Sequence, residues 1–324
     1  MENRPQVLCF GEILFDYLAD QVGATLNEVK TWTNYPGGAP ANVACGLQKL
    51  GIPAAFMGRL GTDSAGQDLQ NLLQNIGVNL AGLQTDPIRP TRLVYVTRHL
   101  DGDRQFAGFG DYKTEDFADT AMVATKIPEK LFESAQFLVM GTIALAYPDS
   151  RNATEQLVKL ADKHQVNIFL DLNWRSVFWG DETEAKSRMI ELLPHATILK
   201  CTDEEAVWLF GRQDPVTLHD KMPYLQGVLV TAGAKGCAYS LGRHYGEVPA
   251  FKIPVQDTTG AGDAFVAGFL SQALTHGDRL FEDADLALET IRYASAVGAL
   301  TILKPGAIAA QPSASMVEQF LKTV

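Results

Sequence analysis

Short apolar runs alternate with longer amphipathic segments along most of the chain, and this alternation constrains the fold more than any other feature of the sequence. Several runs are apolar without interruption, which is typical of strands buried on both faces of a sheet. The runs predict strands at Val7–Phe15, Ala54–Leu60, Phe137–Met140, Val166–Leu170, Thr197–Lys200 and Val228–Thr231. The amphipathic segments predict helices at Ala41–Leu50, Ser64–Ile76, Asp149–His164, Glu182–Leu192, Asp203–Phe210, Ala261–Thr275 and Asp285–Leu300. Together they predict an α/β fold with a doubly wound, mainly parallel sheet and helices on both faces.

Two regions interrupt the alternation. Residues 11–40 contain strand-like pieces before any helix, and residues 90–112 read as a hairpin in which Asp101-Gly102 is a strong turn signal. We interpret them as a small β-sheet lid, formed discontinuously by about 11–40 and 90–112. Such a lid would close over a crevice and exclude water. An ordinary surface hairpin is the alternative interpretation of 90–112.

Composition and charge narrow the class of protein. No linker, repeat or low-complexity tract divides the 324 residues, so we expect one domain over 1–324. A net charge of −11 disfavours nucleic acid as a partner, because proteins that bind phosphate backbones carry a basic face. No apolar stretch is long enough to cross a membrane.

The cysteines and the N-terminus indicate a cytoplasmic location. The four cysteines are far apart and form no CxxC pair, which predicts buried free thiols in a reducing compartment. The apolar stretch near the N-terminus carries Glu12 and Asp16, so it does not read as a signal peptide. The six histidines show no metal-ligand spacing.

The most informative motif is DTTGAGDAF, which runs from Asp257 to Phe265. Its glycines allow a ligand to approach the backbone closely, and the helix that follows begins with amide groups that have no partner inside the helix. Such a helix start suits an anion, for example a phosphoryl group in transfer. Asp263 would stand beside that anion and accept a proton from an attacking hydroxyl. A loop followed by an ordinary helix-start aspartate is the alternative.

This stretch resembles the signature of the ribokinase-like (PfkB-type) sugar kinases. GGAPANVA, from Gly37 to Ala44, resembles the other signature of that family, and GRLGTD, from Gly58 to Asp63, resembles the turn that follows it. The resemblance extends from about Val7 to Ala307. It implies an ATP-dependent sugar kinase in which Asp263 is the general base and also contacts the sugar, and in which Gly260, Ala261 and Gly262 form the anion hole.

The resemblance also implies the binding residues. The sugar would be held by Asp16, Gly37, Gly38, Asn42 and, from the lid, Arg104, while Arg175 would face either sugar or phosphate. The nucleotide and its phosphates would lie against Asp171, Asn173, Lys200, Thr202, Glu205, Thr231, Gly233, Gly236, Gly260 and Gly262.

The resemblance further implies two cations. Glu205 would organise Mg²⁺ through water, although Thr202 stands where the family usually has asparagine. Asp257 and Thr259 fit the loop that often holds K⁺ in the family. Ala310 stands where the family has a serine that contacts that cation.

Fructose is the expected sugar, giving fructose 6-phosphate, because GGAPANVA, GEILFD and LKCTDEE resemble the fructokinases. Phe109 and Gly110 replace the Tyr-Arg pair that those enzymes commonly carry. The missing arginine weakens the case for a carboxylate-bearing or phosphorylated substrate. A kinase for another sugar, a sugar acid or a nucleoside remains an alternative, as does a non-catalytic sugar or nucleotide sensor. Exposed lid edges would offer a homodimer contact.

Other enzyme classes lack their motifs. The sequence has no GxxxxGK[ST] loop of a P-loop NTPase, no GxSxG of an α/β-hydrolase and no early GxGxxG unit of a dinucleotide oxidoreductase.

Overall fold

The structure is a computed structural model that describes residues 4–99 and 104–324, and of Arg104 only the backbone. The expected turn at Asp101-Gly102 lies outside the described residues. The strands are β1 (Val7–Phe10), β2 (Leu14–Ala19), β3 (Trp32–Gly37), β4 (Ala54–Gly61), β5 (Asn79–Asp86), β6 (Leu93–Arg98), β7 (Arg104–Gly108), β8 (Phe137–Met140), β9 (Asn167–Asp171), β10 (Ile198–Thr202), β11 (Gly227–Thr231), β12 (Cys237–Leu241) and β13 (His244–Val248).

The helices lie between these strands and at the end of the chain. They are α1 (Ala39–Lys49), α2 (Ser64–Ile76), α3 (Pro148–His164), α4 (Glu182–Leu192), α5 (Asp203–Phe210), α6 (Pro215–Lys221), α7 (Ala261–His276), α8 (Ala284–Thr301) and α9 (Ala314–Leu321). The seven helices expected from the sequence are confirmed to within two residues at each end. The start of α2 follows from its cap, because the Asp63 side chain accepts a hydrogen bond from the amide of Gly66.

A large sheet in the order β13-β12-β11-β10-β9-β8-β1-β4-β5 forms the centre of the described part of the chain. The strands from β11 to β5 run parallel, and β12 and β13 add antiparallel pairs at one end. Two apolar clusters cover its faces, one packed with residues of α1, α7 and α8 and the other with residues of α3 and α4. The expectation of a doubly wound, mainly parallel sheet is confirmed.

A second, smaller sheet has the order β3-β2-β6-β7. Its strands come from the two regions that interrupt the alternation, so the expected small sheet is confirmed. The single strand expected at Val7–Phe15 is wrong. The chain leaves the large sheet after Phe10, Gly11 adopts a φ of 145°, and β2 begins at Leu14 in the small sheet. Gly11 also packs against Pro40, where a Cβ would lie 2.7 Å from Pro40 Cγ, so glycine suits this turn for two reasons.

All four cysteines are buried and unpaired, as the sequence predicts. Within residues 4–99 and 104–324, no helix has the length and apolar character needed to cross a membrane.

Candidate active site

Asp263 lies in the first turn of α7. Its Oδ2 accepts a hydrogen bond of 2.7 Å from Asn42 Nδ2 on α1. Burial raises the pKa of the Asp263 carboxyl, although the Asn42 hydrogen bond and the charges of Lys200 and Arg175 oppose the rise. A carboxylate with a raised pKa is a stronger base than a free aspartate, which suits proton abstraction from a hydroxyl.

The backbone that leads into α7 is built for close approach. Gly260 has a φ of 78°, and a Cβ there would lie 2.6 Å from Ala307 Cβ, so a larger residue would not fit. Ala261 donates its amide to the Thr258 carbonyl at 3.3 Å. The next amides, of Gly262 and Asp263, precede the first helical hydrogen bond and carry the positive end of the helix dipole. The anion hole is expected at Gly260, Ala261 and Gly262. At this helix start the amides of Gly262 and Asp263 have no backbone partner among the described residues.

The side chain of Lys200 lies next to the start of α7. A Cβ placed on Gly262 would be 3.3 Å from Lys200 Nζ, and the ammonium bonds both oxygens of Asp171, at 3.0 and 2.9 Å. The sheet register explains the pair, because Lys200 on β10 is the lateral partner of Asp171 on β9. Burial alone lowers the pKa of Lys200, but the charges of Asp171, Glu205 and Asp263 outweigh it, so the ammonium stays charged. It therefore adds a fixed positive charge beside the anion hole.

Glu205 has a buried carboxylate that holds two backbone segments together. One oxygen accepts the amide of Thr202 and the other the amide of Trp174, each at 2.8 Å. The Thr202 side chain in turn accepts the amide of Glu205 at 3.1 Å, which completes a capping box at the start of α5. Thr202 thus serves as the helix cap, and Glu205 anchors the loop that follows β9.

That loop contains Asn173 and Arg175. Asn173 has a φ of 38°, a left-handed conformation that asparagine tolerates better than most residues. Arg175 is exposed and donates to the Trp174 carbonyl at 3.0 Å, yet its charge acts on Asp263. The loop therefore carries an exposed guanidinium whose charge reaches Asp263, and the contact of Arg175 with sugar or phosphate stays a prediction.

The expected nucleotide loop follows β11. Thr231 is the sheet partner of Thr202, so the ends of β10 and β11 lie side by side. The space beside Gly233 is open, with no atom within 4 Å of the position a Cβ would take. Gly236 has a φ of 105°, and a Cβ there would lie 2.0 Å from the Val248 carbonyl oxygen. Gly236 is therefore required by the turn itself, while Gly233 leaves room for a ligand.

Several residues expected to bind the sugar lie at or near the start of α1. A Cβ on Gly37 would lie 3.0 Å from Asp16 Oδ2, which places the Asp16 carboxylate against the glycine pair. Gly38 has a φ of 105° and is the cap residue of α1. The buried Asn42 Oδ1 has no hydrogen-bond partner among the described residues, which leaves it available to a hydroxyl donor. The side chain of Arg104 lies outside what the structure describes.

The loop expected to hold K⁺ is organised around Asp257. Its Oδ1 accepts the amide and the hydroxyl of Thr259, at 3.0 and 2.6 Å, and its Oδ2 accepts the amide of Gly306, at 3.0 Å. Asp257 is buried and joins the α7 approach to the loop that leads to Ala310. Hard cations are bound by oxygen donors, and this loop contains them.

Sequence reasoning missed several polar groups near the carboxyl end of β1. Glu12, Asp119 and Tyr147 line one small recess there. Glu12 lies in GEILFD, but Asp119 and Tyr147 belong to none of the quoted motifs and are far from it in the sequence, so only the fold brings the three together.

Comparison with known proteins assigns the chain to one family. Residues 4–314 match the family model described as pfkB family carbohydrate kinase. The chain is 36% identical over 328 residues to "Probable fructokinase-6, chloroplastic" of Arabidopsis thaliana, which covers 100% of this chain and 84% of that protein. It superposes on a fructokinase with bound ATP from Xylella fastidiosa with a TM-score of 0.87, 30% identity and 98% coverage of both chains. A double-mutant fructokinase from Vibrio cholerae O395, solved in a fructose, ADP and potassium ion bound form, gives a TM-score of 0.85 at 28% identity and 98% coverage of both chains.

The fold is that of the ribokinase-type kinases, and the chain belongs to the pfkB family of carbohydrate kinases. It is a fructokinase-like phosphotransferase that acts on a sugar hydroxyl.

Proposed function

We propose that this protein is a fructokinase that transfers the γ-phosphoryl group of ATP to the 6-hydroxyl of fructose, with Asp263 as general base. The observation that carries the proposal is the position of Asp263. It combines a raised pKa, a hydrogen bond to the sugar-site residue Asn42 and a place beside the free amides of α7.

The roles of the residues follow from their contacts. The hydroxyl oxygen forms the new bond to the γ-phosphorus, its proton passes to Asp263, and the bond from phosphorus to the β–γ bridging oxygen breaks to release ADP. The amides of Gly262 and Asp263 and the ammonium of Lys200 face the charge that develops on the transferred group. Closure of the small sheet over the sugar would exclude water and suppress ATP hydrolysis.

The residues present also fit a divalent ion. The described residues contain no group of three or more His, Cys, Asp or Glu side chains that could hold a metal ion alone. Mg²⁺ keeps several water ligands and is usually held by phosphates and one or two carboxylates. Asp171 and Glu205 would accept hydrogen bonds from its water ligands, and the ion would neutralise phosphate charge during transfer.

Potassium activation is a separate part of the proposal. The buried Asp257, bonded to Thr259 and to the amide of Gly306, supports a K⁺ site beside the loop that enters α7. A cation there would fix the anion hole. Replacing K⁺ by tetramethylammonium at constant ionic strength should lower kcat several-fold, and unchanged kcat would refute this site.

We also propose a cytosolic homodimer that pairs through the small sheet. The four buried free thiols suit a reducing compartment. In the described part of the chain, β3 and β7 are edge strands, and Val22, Leu26 and Phe106 are exposed apolar residues of the same region. Light scattering should give twice the mass of one chain, and Phe106→Asp should reduce it to the monomer.

A sugar panel tests the main proposal. ADP formation is measured with MgATP and fructose, glucose, mannose, ribose, 2-keto-3-deoxygluconate and adenosine, and product identity is checked by phosphorus NMR. Fructose should have the highest kcat/KM and yield the 6-phosphate. A higher kcat/KM for another acceptor would replace the fructose assignment, and ATP-independent binding of a sugar without turnover would favour a sensor.

A further inference from the structure

A small recess lies beside the carboxyl end of β1, with walls from β4 and from the segment that follows β8. We call it the β1 recess, and Gly11, Glu12, Gly58, Asp119, Ile143 and Tyr147 contribute to its walls. Its volume of about 10 Å³ is enough for about one water molecule or one hydroxyl group. Parallel α/β sheets bind their ligands outside the carboxyl ends of the strands, at the point where the strand order reverses, and β1 occupies that point here.

The Tyr147 hydroxyl is the group in this recess that most needs a partner. Tyr147 is 7% exposed, and its hydroxyl makes no hydrogen bond of acceptable geometry among the described residues. Burial raises the pKa of Tyr147, and the charge of Arg92 and the side chain of Thr114 oppose that rise. Neither side chain forms a hydrogen bond of acceptable geometry with the hydroxyl. A buried hydroxyl without a partner is unfavourable, so a ligand hydroxyl or a water molecule is expected beside it.

Asp119 forms a fixed wall of the recess. Arg92, which is 1% exposed, donates to both Asp119 oxygens at 2.6 and 2.9 Å. The guanidinium also lies over the rings of Phe117 and Phe178, with 4.7 and 5.0 Å to the ring centroids. The carboxylate therefore cannot turn away when the recess is empty, which keeps the site preorganised.

Glu12 supplies the third polar group. Its Oε1 accepts the amide of Ala39 at 2.9 Å, at the start of α1. Burial raises the pKa of Glu12 to about 7, and the charges of Asp119 and Asp263 add to the rise while two backbone hydrogen bonds oppose it. Near neutral pH a large share of Glu12 is therefore protonated and able to donate a hydrogen bond to a hydroxyl.

The recess is connected to the reacting centre through one turn of α1. The Ala39 amide bonds to Glu12 and the Asn42 side chain bonds to Asp263, and both residues lie in the first turn of α1. The backbone at Gly38 is also pressed against Glu12, since a Cβ there would lie 2.5 Å from the Glu12 carbonyl oxygen. The charge of Asp263 also contributes to the raised pKa of Glu12, so the two carboxyl groups are near enough to interact.

We propose that the β1 recess receives one non-reacting hydroxyl of the sugar and that Tyr147 and Glu12 select substrates that carry it. This assignment rests on the proposed function. Its substrate class is a polyhydroxylated sugar with a free hydroxyl remote from the phosphorylated one. A site built to bond a hydroxyl rejects an analogue that lacks it far more strongly than an apolar pocket does, because the buried partners are left unpaired.

Monodeoxy sugars test the proposal directly. We would measure kcat/KM for fructose and for 1-deoxy-, 3-deoxy- and 4-deoxyfructose with the wild-type enzyme, Tyr147→Phe and Glu12→Gln. Tyr112→Phe is the matched control, because Tyr112 is 49% exposed and does not line the recess. The wild type should penalise one analogue by at least about tenfold. Tyr147→Phe should reduce that penalty to less than about threefold and leave the ATP KM unchanged.

The outcomes separate this proposal from the proposed function. A wild-type enzyme that treats all three analogues alike, or a Tyr147→Phe variant that slows every sugar by one common factor, overturns the recess assignment alone. A wild-type protein that phosphorylates no sugar overturns the proposed function, and the assignment with it. Thermal melting of each variant shows whether a loss of activity reflects unfolding. If Tyr147→Phe does not fold, the ratios between fructose and its monodeoxy analogues in the wild type decide.

Discussion

Replacing Glu12 by glutamine should make the protein's stability less dependent on pH. Glutamine matches the neutral carboxyl in size and can still accept the Ala39 amide, but it cannot ionise. In the folded protein the pKa of Glu12 is raised from its ordinary 4.5 to about 7, mainly by burial. The unfolded chain therefore releases this proton near pH 4.5 and the folded protein only near pH 7, so the free energy of unfolding falls as pH rises through that window. The rise corresponds to about 3 kcal/mol.

Urea unfolding from pH 4.5 to pH 8 measures this effect. The difference in free energy of unfolding between Glu12→Gln and wild type should grow by about 3 kcal/mol in favour of the variant across that range. Glu28→Gln is the control, because Glu28 is exposed and hydrogen bonds from Thr25 lower its pKa, so this variant should not gain stability over the wild type as pH rises. Parallel stability curves for Glu12→Gln and wild type would refute the reasoning, since they would show that Glu12 ionises equally easily in both states.

Two further substitutions test the site. Lys200→Met should lower the free energy of unfolding by about 3–5 kcal/mol in urea titrations, because it leaves the buried Asp171 charge unpaired. Lys235→Met, in an exposed ion pair, should have little effect. Asn42→Ala removes a hydrogen bond that lowers the pKa of Asp263. The acid limb of the pH profile of kcat should therefore move to higher pH. An unmoved limb would show that Asn42 does not set this pKa.

The sequence was sufficient for the parts of the fold that depend on local pattern. The central strands are buried on both faces, so they appear as uninterrupted apolar runs. Helix α2 begins at a capping aspartate, Asp63, and ends before Gly77, which adopts the left-handed conformation of a helix end. Strand β5 was missed because Asn79–Asp86 is an edge strand that mixes polar and apolar residues. The hairpin of β12 and β13 was missed for lack of an extended apolar run.

Part of the candidate site could be predicted from local sequence, and part of it depends on the order of strands in the sheet. Asp263 and the glycines around it are adjacent in the chain, and the helix start gives them their chemistry directly. The pairing of Lys200 with Asp171 depends on the register of β9 and β10, which the sequence does not specify. Glu12 and Tyr147 are 135 residues apart in number and meet only because β1 lies beside β8 in the sheet. Such groups can be found only after the sheet order is known.

The central claim is that Asp263 accepts the proton of the attacking hydroxyl, and its most direct test is the turnover of Asp263→Asn. With saturating fructose and MgATP, kcat should fall by about 10²–10⁴-fold while the melting temperature changes little. The control is Asp285→Asn, which changes an exposed aspartate in the first turn of α8 and should keep full activity. A near-normal kcat for Asp263→Asn in the folded protein would contradict the assignment of the base.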